Sequence, residues 1–226
     1  MDGLRTRRLT AKGQATRDRI VAAAAALMHE RGVAGTSTDD VRAAAGVSAS
    51  QIYHYFDGKK ALVREVIAYQ TRAVLDAQVP KLSRLDSVES LRAWRDQVVD
   101  LQRQLGCQGG CPIGSLANEL ADVDAEARAD LAHAFARWET SIRDGLRTMR
   151  ARGELRPDAD PDHLALAVLA ALQGGLLLTK TRRDTRGLEV ALDVVLDHIR
   201  DATDPAEVSH LGVVRRADRS GDDGID

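Results

Sequence analysis

Apolar residues recur at helical spacing along most of the chain, and glycine, proline and capping residues divide this pattern into segments. The first segment begins near Thr16 and ends at Gly32, a residue type that readily adopts the left-handed conformation after a helix. Ser37 opens a second, shorter segment, which Gly46 breaks, and Ser48 opens a third. The N-terminal part of the chain is therefore predicted to contain three helices, of which the second and third are short.

The rest of the chain continues in helical segments. The spacing predicts helices over residues 59–79, 86–106, 115–121, 124–152, 160–181 and 185–201. No stretch shows the alternation of apolar and polar residues that is typical of a half-buried strand. We therefore expect an all-α fold of about nine helices, with a three-helix N-terminal unit followed by a larger helical body.

Composition agrees with this fold class and excludes others. Of the 226 residues, 44% are apolar, 29% are charged and 3% are aromatic, which excludes a wholly disordered chain or a collagen. Two cysteines are too few for a disulfide scaffold. The longest apolar run, residues 164–178, is interrupted by Gln173 and is shorter than the about 20 residues that cross a bilayer. Because the N-terminus also lacks a signal-peptide pattern, we expect a cytoplasmic protein that does not associate with membranes.

Charge is distributed unevenly along the chain. Residues 1–60 contain ten Lys and Arg residues against six Asp and Glu residues, whereas the whole chain has a net charge of −2. A basic end on an acidic body is typical of a protein whose N-terminal unit binds a polyanion. Two interpretations of the basic N-terminal arm stay open, since it either lies along phosphates or is a solvated tail. The basic residues of this arm are Arg5, Arg7, Arg8 and Lys12.

The second and third predicted helices form a helix-turn-helix, in which Ala45-Gly46-Val47 makes the tight turn. In that motif the second of the two helices enters the major groove of DNA. Ile52 and Phe56 are its apolar positions and are predicted to face the core. Lys59, at the start of the next helix, is placed to bind a phosphate. The short donors and flat polar rings that can reach base edges or phosphates are Ser48, Ser50, Gln51, Tyr53 and His54, of which Ser48 is also the helix cap.

Residues 16–67 resemble the DNA-binding domain of TetR-type bacterial repressors. Residues 16–24 (TRDRIVAAA), 46–56 (GVSASQIYHYF) and 59–62 (KKAL) carry the resemblance at matching spacing. It implies an all-helical homodimer whose N-terminal units bind a palindromic operator and whose body binds a small-molecule inducer. It also implies that Thr36 and Ser37 contact phosphates and that Lys59 holds a phosphate. The recognition-helix positions that it implies are Ser48, Ser50, Gln51, Tyr53 and His54.

These observations predict four regions. Residues 1–14 are expected to be a flexible basic arm, residues 15–60 the helix-turn-helix DNA-binding domain, residues 61–202 the ligand-binding and dimerisation domain, and residues 203–226 a disordered tail. The expected partners are double-stranded operator DNA, a second copy of the chain and a small-molecule effector. No cofactor is expected.

The last two predicted helices are the most apolar of the chain. One stripe consists of Leu164, Val168, Leu172 and Leu176, with Ala165, Leu169 and Leu177 beside it. The other consists of Leu188, Ala191, Leu192, Val195 and Ile199. The stripes either pack on each other as an internal hairpin or form a four-helix bundle across a two-fold axis. The resemblance favours the bundle, since TetR-type regulators pair through their last two helices, and it places the homodimer interface at residues 161–181 and 186–201.

The middle helices are predicted to enclose the effector cavity. Trp94 and Trp138 each offer a large flat surface with one polar atom, which suits an aromatic or planar ligand. Ordinary core packing is the alternative for each residue taken singly. The candidate lining residues are Val66, Tyr69, Trp94, Val98, Leu101, Leu116, Leu120, Phe135, Trp138, Ile142 and Gln173.

Residues 106–120 (GCQGGCPIGSLANEL) are the least typical segment of the chain. The GCPIG and LANEL runs are similar to the LmrA-like branch of the TetR family, which implies repression of transport or catabolic genes and, in some members, release by flavonoid-like aromatic compounds. Cys107 and Cys111 admit three interpretations, which are packing, a redox pair or part of a metal site. Packing is favoured because nothing basic flanks the thiols, and because no second Cys pair or nearby His pair completes the about four ligands that zinc needs.

The sequence thus predicts a ligand-responsive transcriptional repressor that is released by a small, hydrophobic, aromatic effector. The alternative is a redox-sensing repressor of the same fold that uses Cys107 and Cys111. An enzyme is not expected, because the H-E-x-x-H, G-x-S-x-G and P-loop motifs are absent from the sequence. No catalytic residue and no metal ligand is therefore assigned.

Overall fold

The computed structural model describes residues 9–203. In that range the chain forms nine α-helices, a short 3-10 helix at Lys81–Ser83 and no β-strand, so the predicted all-α fold is confirmed. The α-helices are α1 (Ala11–Arg31), α2 (Thr38–Ala45), α3 (Ala49–Tyr55), α4 (Gly58–Asp76), α5 (Val88–Gln104), α6 (Pro112–Leu120), α7 (Ala125–Ala151), α8 (Pro161–Arg182) and α9 (Arg186–Asp201).

Helix α1 begins earlier than the apolar pattern indicates. The side chain of Thr10 accepts a hydrogen bond from the Gly13 backbone N–H at 3.2 Å and caps the helix. Residues 11–14, including Lys12, are therefore helical and do not belong to a flexible arm. Periodicity missed this turn because it is polar and carries no apolar stripe. Arg5, Arg7 and Arg8, and the predicted tail beyond Thr203, lie outside the described residues.

The N-terminal unit is built by packing α1, α2 and α3 around one apolar cluster. Ile20 of α1, Val41 of α2 and Ile52 of α3 are all buried in it. Arg17 joins this unit to α4, because its guanidinium lies 5.4 Å from the centre of the Phe56 ring and pairs with the Glu65 carboxylate. The helix-turn-helix is thus held on α1 and against the first turns of the body.

The end of α4 is fixed by a polar contact inside the body. Helix α4 ends at Asp76, before the predicted end at residue 79, and the chain then turns. Gln78 faces inward from this turn, and its side-chain oxygen accepts a hydrogen bond from the Trp94 indole N–H at 2.8 Å. This buried bond holds α5 against the end of α4.

Helices α8 and α9 form an internal hairpin that α5 and α7 cover. The apolar stripes predicted for the homodimer interface pack within this hairpin and against α5 and α7. A homodimer interface therefore cannot consist of these stripes. The reason is that the neighbouring helices of the same chain already remove them from water. Of the stripe residues, Leu177 is exposed, Ala191 and Val195 are half-buried, and those that are buried are Leu164, Ala165, Val168, Leu169, Leu172, Leu176, Leu188, Leu192 and Ile199.

Helix α8 is longer than its central apolar run. It has 22 residues, and by length and composition alone it could cross a membrane, which the shorter run of residues 164–178 did not suggest. Val168 and Leu172 in its middle are completely buried between α7 and α9. Packing inside the bundle therefore accounts for the apolar composition of this stripe.

We predict that Gly145 is needed for the close packing of α7 on the segment that follows the 3-10 helix. A Cβ atom at this position would overlap the Leu85 carbonyl oxygen, which belongs to the backbone and cannot turn away. Gly145→Ala should lower the free energy of unfolding in urea, followed by circular dichroism, by about 1–3 kcal/mol.

Gly13→Ala is the matched control, because it is also a helical glycine but has only ordinary contacts around an added Cβ. It should leave the free energy of unfolding unchanged or raise it by up to about 1 kcal/mol. Equal stability of the two variants would contradict the prediction.

Candidate functional site

Helix α3 exposes a polar face beside the turn that joins it to α2. Ser50, Gln51, Tyr53 and His54 are all exposed, and Tyr53 keeps 66% of its surface accessible. Ile52, together with the neighbouring Phe56, is buried in the apolar cluster that α3 shares with α1 and α2. The buried residues therefore leave the polar face available to another molecule.

Ser48 and Gln51 fix the first turn of α3. The Gln51 backbone N–H donates to Ser48 Oγ at 3.2 Å, and the Ser48 backbone N–H donates to Gln51 Oε1 at 2.8 Å. Ser50 Oγ lies 2.9 Å from Ser48 Oγ. Only the side-chain oxygen of Gln51 is engaged among residues 9–203, so its exposed amide nitrogen remains able to donate to an outside acceptor.

Two of the residues expected to contact phosphates are engaged inside the protein. Thr36 is 1% exposed, and its Oγ1 donates to the Gly32 carbonyl at 2.8 Å, so its side chain has a structural role in this conformation. Lys59 is half-buried, and its Nζ donates to the Val33 carbonyl at 2.7 Å. Ser37 is exposed at the start of α2, where its hydrogen bonds to the Asp40 carboxylate lower the pKa of that group.

The turn between α1 and α2 is held by side chains of the body. The Val33 backbone N–H donates to the Glu119 carboxylate of α6 at 2.7 Å, while the Val33 carbonyl accepts the bond from Lys59 of α4. Both backbone groups of one residue are thus tied to two different helices of the body. Sequence patterns missed Glu119, because its partner lies 86 residues away and its own surroundings show no charge pattern.

An open cavity of about 610 Å³ lies between the C-terminal ends of α1, α4, α5 and α8, with Trp138 of α7 and residues 108–112 completing the wall. Of the candidate lining residues, Val98, Leu101 and Trp138 line this cavity. Phe135 and Gln173 line a neighbouring cavity of about 490 Å³ between α6, α7 and α8. Val66 and Leu116 line only a much smaller space beside α1.

The other four candidates line none of these cavities, and burial explains most of them. Trp94 is fully buried and donates its indole N–H to the Gln78 side chain. Ile142 is also fully buried. Leu120 is buried at the end of α6, whereas Tyr69 lies at the surface of α4. Ordinary core packing accounts for the position of Trp94, Ile142 and Leu120, and surface exposure describes that of Tyr69.

Several polar cavity residues were not predicted. Gln102 had a detectable signal, because it continues the buried stripe of Trp94 and Val98 at a spacing of four residues. The others lie at or just beyond the ends of helices, where the spacing of apolar residues does not predict which side chains face inward. The unpredicted polar and charged lining residues are His29, Glu30, Gln78, Gln102, Gln108, Lys180 and Arg183.

The segment before α6 forms a tight strap over the cavity. Cys107 and several neighbouring glycines have positive φ angles, and a Cβ atom at Gly109 (φ 79°) would lie 2.5 Å from His29 Nε2. Cys107 and Cys111 are buried and not bonded to each other. Cys111 caps α6, with its Sγ accepting the Gly114 N–H at 3.4 Å, and burial raises the pKa of its thiol.

Comparison with known proteins identifies the family. Residues 20–66 match the family described as bacterial regulatory proteins, tetR family, and residues 87–195 match the tetracyclin repressor-like C-terminal domain. A TetR transcriptional regulator from Chloroflexus aurantiacus J-10-FL is 32% identical, with a TM-score of 0.74 over 84% of this chain and 96% of that chain. The chain belongs to the TetR family.

Curated relatives extend the TetR-family match over most of the chain. The HTH-type transcriptional repressor DhaR of Mycobacterium sp. (strain GP1) is 28% identical over 77% of this chain and 87% of DhaR. The HTH-type transcriptional regulator LmrA of Bacillus subtilis (strain 168) is 23% identical over 76% of this chain and 90% of LmrA. The predicted resemblance is confirmed. The protein is a TetR-family transcriptional regulator with a DNA-binding helix-turn-helix, in a family of regulators rather than of enzymes.

We predict that Tyr53 of this TetR-family regulator contacts operator DNA. It keeps 66% of its surface accessible on α3 and does not belong to the core cluster. Tyr53→Ala should weaken binding to a duplex selected by the wild-type protein by about tenfold at fixed salt, in a fluorescence-anisotropy titration. Tyr69→Ala, which removes a partly exposed tyrosine of α4, is the control and should bind as the wild type does. An unchanged affinity of Tyr53→Ala would exclude this contact.

Proposed function

We propose that the protein is a cytoplasmic, ligand-responsive repressor that binds a palindromic operator as a homodimer and is released by a small, hydrophobic, aromatic effector. The observation that carries this proposal is the pair of bonds on Val33, which joins the helix-turn-helix to the two helices, α4 and α6, whose ends border the cavity. DhaR, a relative described as a transcriptional repressor, supports repression rather than activation of transcription.

The outer faces of α8 and α9 supply a surface for dimerisation. Five large apolar residues lie exposed on these two helices, namely Leu166, Leu177, Leu178, Val190 and Val194. Small residues on the same side of α8, such as Ala170 and Gly174, permit close approach of another helix. An apolar surface of this kind marks an interaction site, and a second copy of the hairpin would complete a four-helix bundle. Residues 161–181 and 186–201 thus remain the proposed interface, through their outer faces.

Dimerisation gives the DNA-binding units their spacing. Two copies of α3 related by a two-fold axis read half-sites about 34–36 Å apart, one turn of the duplex. Within each copy, Ser37, Ser50, Gln51, Tyr53 and His54 are proposed to face the DNA. Ser48 supports them as the cap, and Thr36 and Lys59 support them by holding the turn after α1.

Helix α6 provides a route from the effector to the DNA-binding unit. Its N-terminal residues Cys111 and Pro112 belong to the cavity wall, and Glu119 near its other end holds Val33. Helix α4 provides a second route, because its C-terminal end also lines the cavity and Lys59 in its first turn holds the same residue. An effector that displaces either helix therefore moves the turn that precedes α2, and operator affinity falls by as much as the effector prefers the displaced state.

We predict that a charge on the outer face of α9 separates the dimer. Val194 is 64% exposed, so Val194→Lys should leave the fold of each protomer intact. In sedimentation velocity it should shift the protein to monomer. Operator binding in anisotropy should weaken by about tenfold or more, with a salt dependence about half as steep as that of the wild type.

Val123→Lys is the matched control, since Val123 is 76% exposed in the loop between α6 and α7. It should remain dimeric and bind the operator normally. A dimeric Val194→Lys protein would disprove the proposed interface. Wild-type protein without salt-sensitive, sequence-selective DNA binding would disprove the proposed function.

We also predict that Glu119 supports operator binding from a distance. Glu119→Ala removes the acceptor for the Val33 N–H. Exchange of the Val33 amide hydrogen should accelerate, and operator affinity without effector should fall about threefold or more. Asp122→Ala removes an exposed carboxylate from the same end of α6 and serves as the control. If both variants show the same amide exchange and the same affinity, α6 does not restrain the DNA-binding unit.

A further inference from the structure

Three buried polar atoms in the wall of the 610 Å³ cavity have no partner among residues 9–203, namely Trp138 Nε1, Gln102 Oε1 and His29 Nδ1. Trp138 is 2% exposed, and its indole nitrogen makes no hydrogen bond to any residue of the described range. Gln102 is 5% exposed, and its side-chain oxygen is also without a partner there. Buried polar groups are almost always satisfied, so the unpartnered indole N–H of Trp138 beside the cavity indicates a ligand that offers it an acceptor oxygen.

The charge around the mouth of the cavity is positive. Lys180 and Arg183 both line it, and neither lies within 4 Å of a carboxylate among residues 9–203. Arg183 donates to the Cys107 carbonyl at 3.3 Å, which keeps its guanidinium at the strap. Glu30 is the single acidic lining residue, and it is 3.7 Å from Arg31, which offsets its charge. Burial and then Lys180 lower the pKa of His29, which disfavours a positive charge on this residue.

The N-terminus of α6 adds to this positive potential. Cys111 and Pro112, its cap and first residue, line the cavity. The cap is a thiol sulfur, which is a weak hydrogen-bond acceptor and compensates the positive end of the helix dipole only slightly. Helix N-termini attract anions, and this one combines with the unpartnered Trp138 N–H and two cationic side chains.

Lys180 could also lie where it does because basic residues near the C-terminus of a helix complement the helix dipole. Comparison with Arg182 separates this effect from ligand binding. Arg182 occupies the last turn of α8 together with Lys180 but does not line the cavity. Lys180, by contrast, packs over Gly110, where a Cβ atom would lie 3.3 Å from its Cδ. Lys180 therefore belongs to the cavity wall beside the strap, whereas Arg182 lies in the last turn of α8 outside the cavity.

We propose that the ligand of this cavity is an organic anion with an apolar ring body, of the aromatic carboxylate class. The inference rests on the proposed function of the cavity as the effector site, and it adds the charge of the effector to its size and apolarity. The carboxylate is bound at the mouth by Lys180, Arg183 and the start of α6. The ring body packs on Val74, Val98 and Leu176, and the buried indole N–H of Trp138 donates to an oxygen of the ligand. The cavity volume of about 610 Å³ accommodates a ligand of this kind.

The test measures binding of three related probes by isothermal titration calorimetry, without DNA. The probes are biphenyl-4-carboxylate, its neutral amide and the corresponding cationic benzylamine. The wild-type protein should bind the carboxylate about tenfold more tightly than the amide, since a charged acceptor forms the stronger hydrogen bonds. The benzylamine should bind most weakly. Because operator DNA is absent, failure of the proposed repressor function would not affect this result.

Two variants that each remove one positive charge test whether Lys180 is responsible for the preference for the carboxylate over the amide. Lys180→Gln should reduce the carboxylate-to-amide preference to about threefold or less, whereas Arg182→Gln should retain it. Trp138→Phe keeps an aromatic ring but removes the donor, and it should weaken binding of the carboxylate. Equal binding of carboxylate and amide by the wild type, no carboxylate binding at all, or the same effect of Lys180→Gln and Arg182→Gln would each overturn the proposal.

Discussion

The position of the DNA-binding unit depends on one residue whose backbone is held from two sides. Val33 follows the C-terminus of α1, and its N–H and carbonyl are bound by Glu119 of α6 and Lys59 of α4. Without the bond to Glu119, the buried Val33 N–H would lose its partner, which costs about 1–3 kcal/mol, whereas the carbonyl would keep its bond from the Thr36 N–H at 3.3 Å. The same bonds make the turn before α2 sensitive to any movement of α4 or α6. The structural requirement and the proposed regulatory connection therefore coincide in one turn.

The α8–α9 hairpin shows how one apolar segment can serve two surfaces. Its inner stripe, with Val168, Leu172 and Leu188, is the core of the body and is covered by α5 and α7. Its outer face keeps Leu177 and Val194 exposed in the single chain. A helix that is apolar on both sides needs a neighbour on both sides, and the proposed second copy is the neighbour on the outside. The cavity lies at one end of this hairpin, so the proposed ligand site and the proposed dimer interface share α8.

Local sequence signals predicted the helices well, because caps and periodicity act within a few residues. Ser37 and Ser48 form the capping boxes at the starts of α2 and α3, and Gly46 ends α2 with a φ of 61°. The start of α1 was missed because Thr10 caps a polar turn. The apolar stripes of α8 and α9 were assigned to the dimer interface, but helices of the same chain cover them. Periodicity shows which residues share a face of a helix but not which element packs on that face. Glu119 and Lys180 contact residues that are distant in sequence, which local periodicity does not show, whereas Gln102 continues the buried stripe of α5.

The central claim is that α3 is presented outward and enters DNA as one of two symmetric copies. Hydroxyl-radical footprinting of the full-length protein on a duplex that it selects tests this most directly. The account predicts two protected patches of equal length on one face of the duplex, related by a two-fold axis and about one helical turn apart. A single protected patch, or protection without two-fold symmetry at saturating protein, would contradict it.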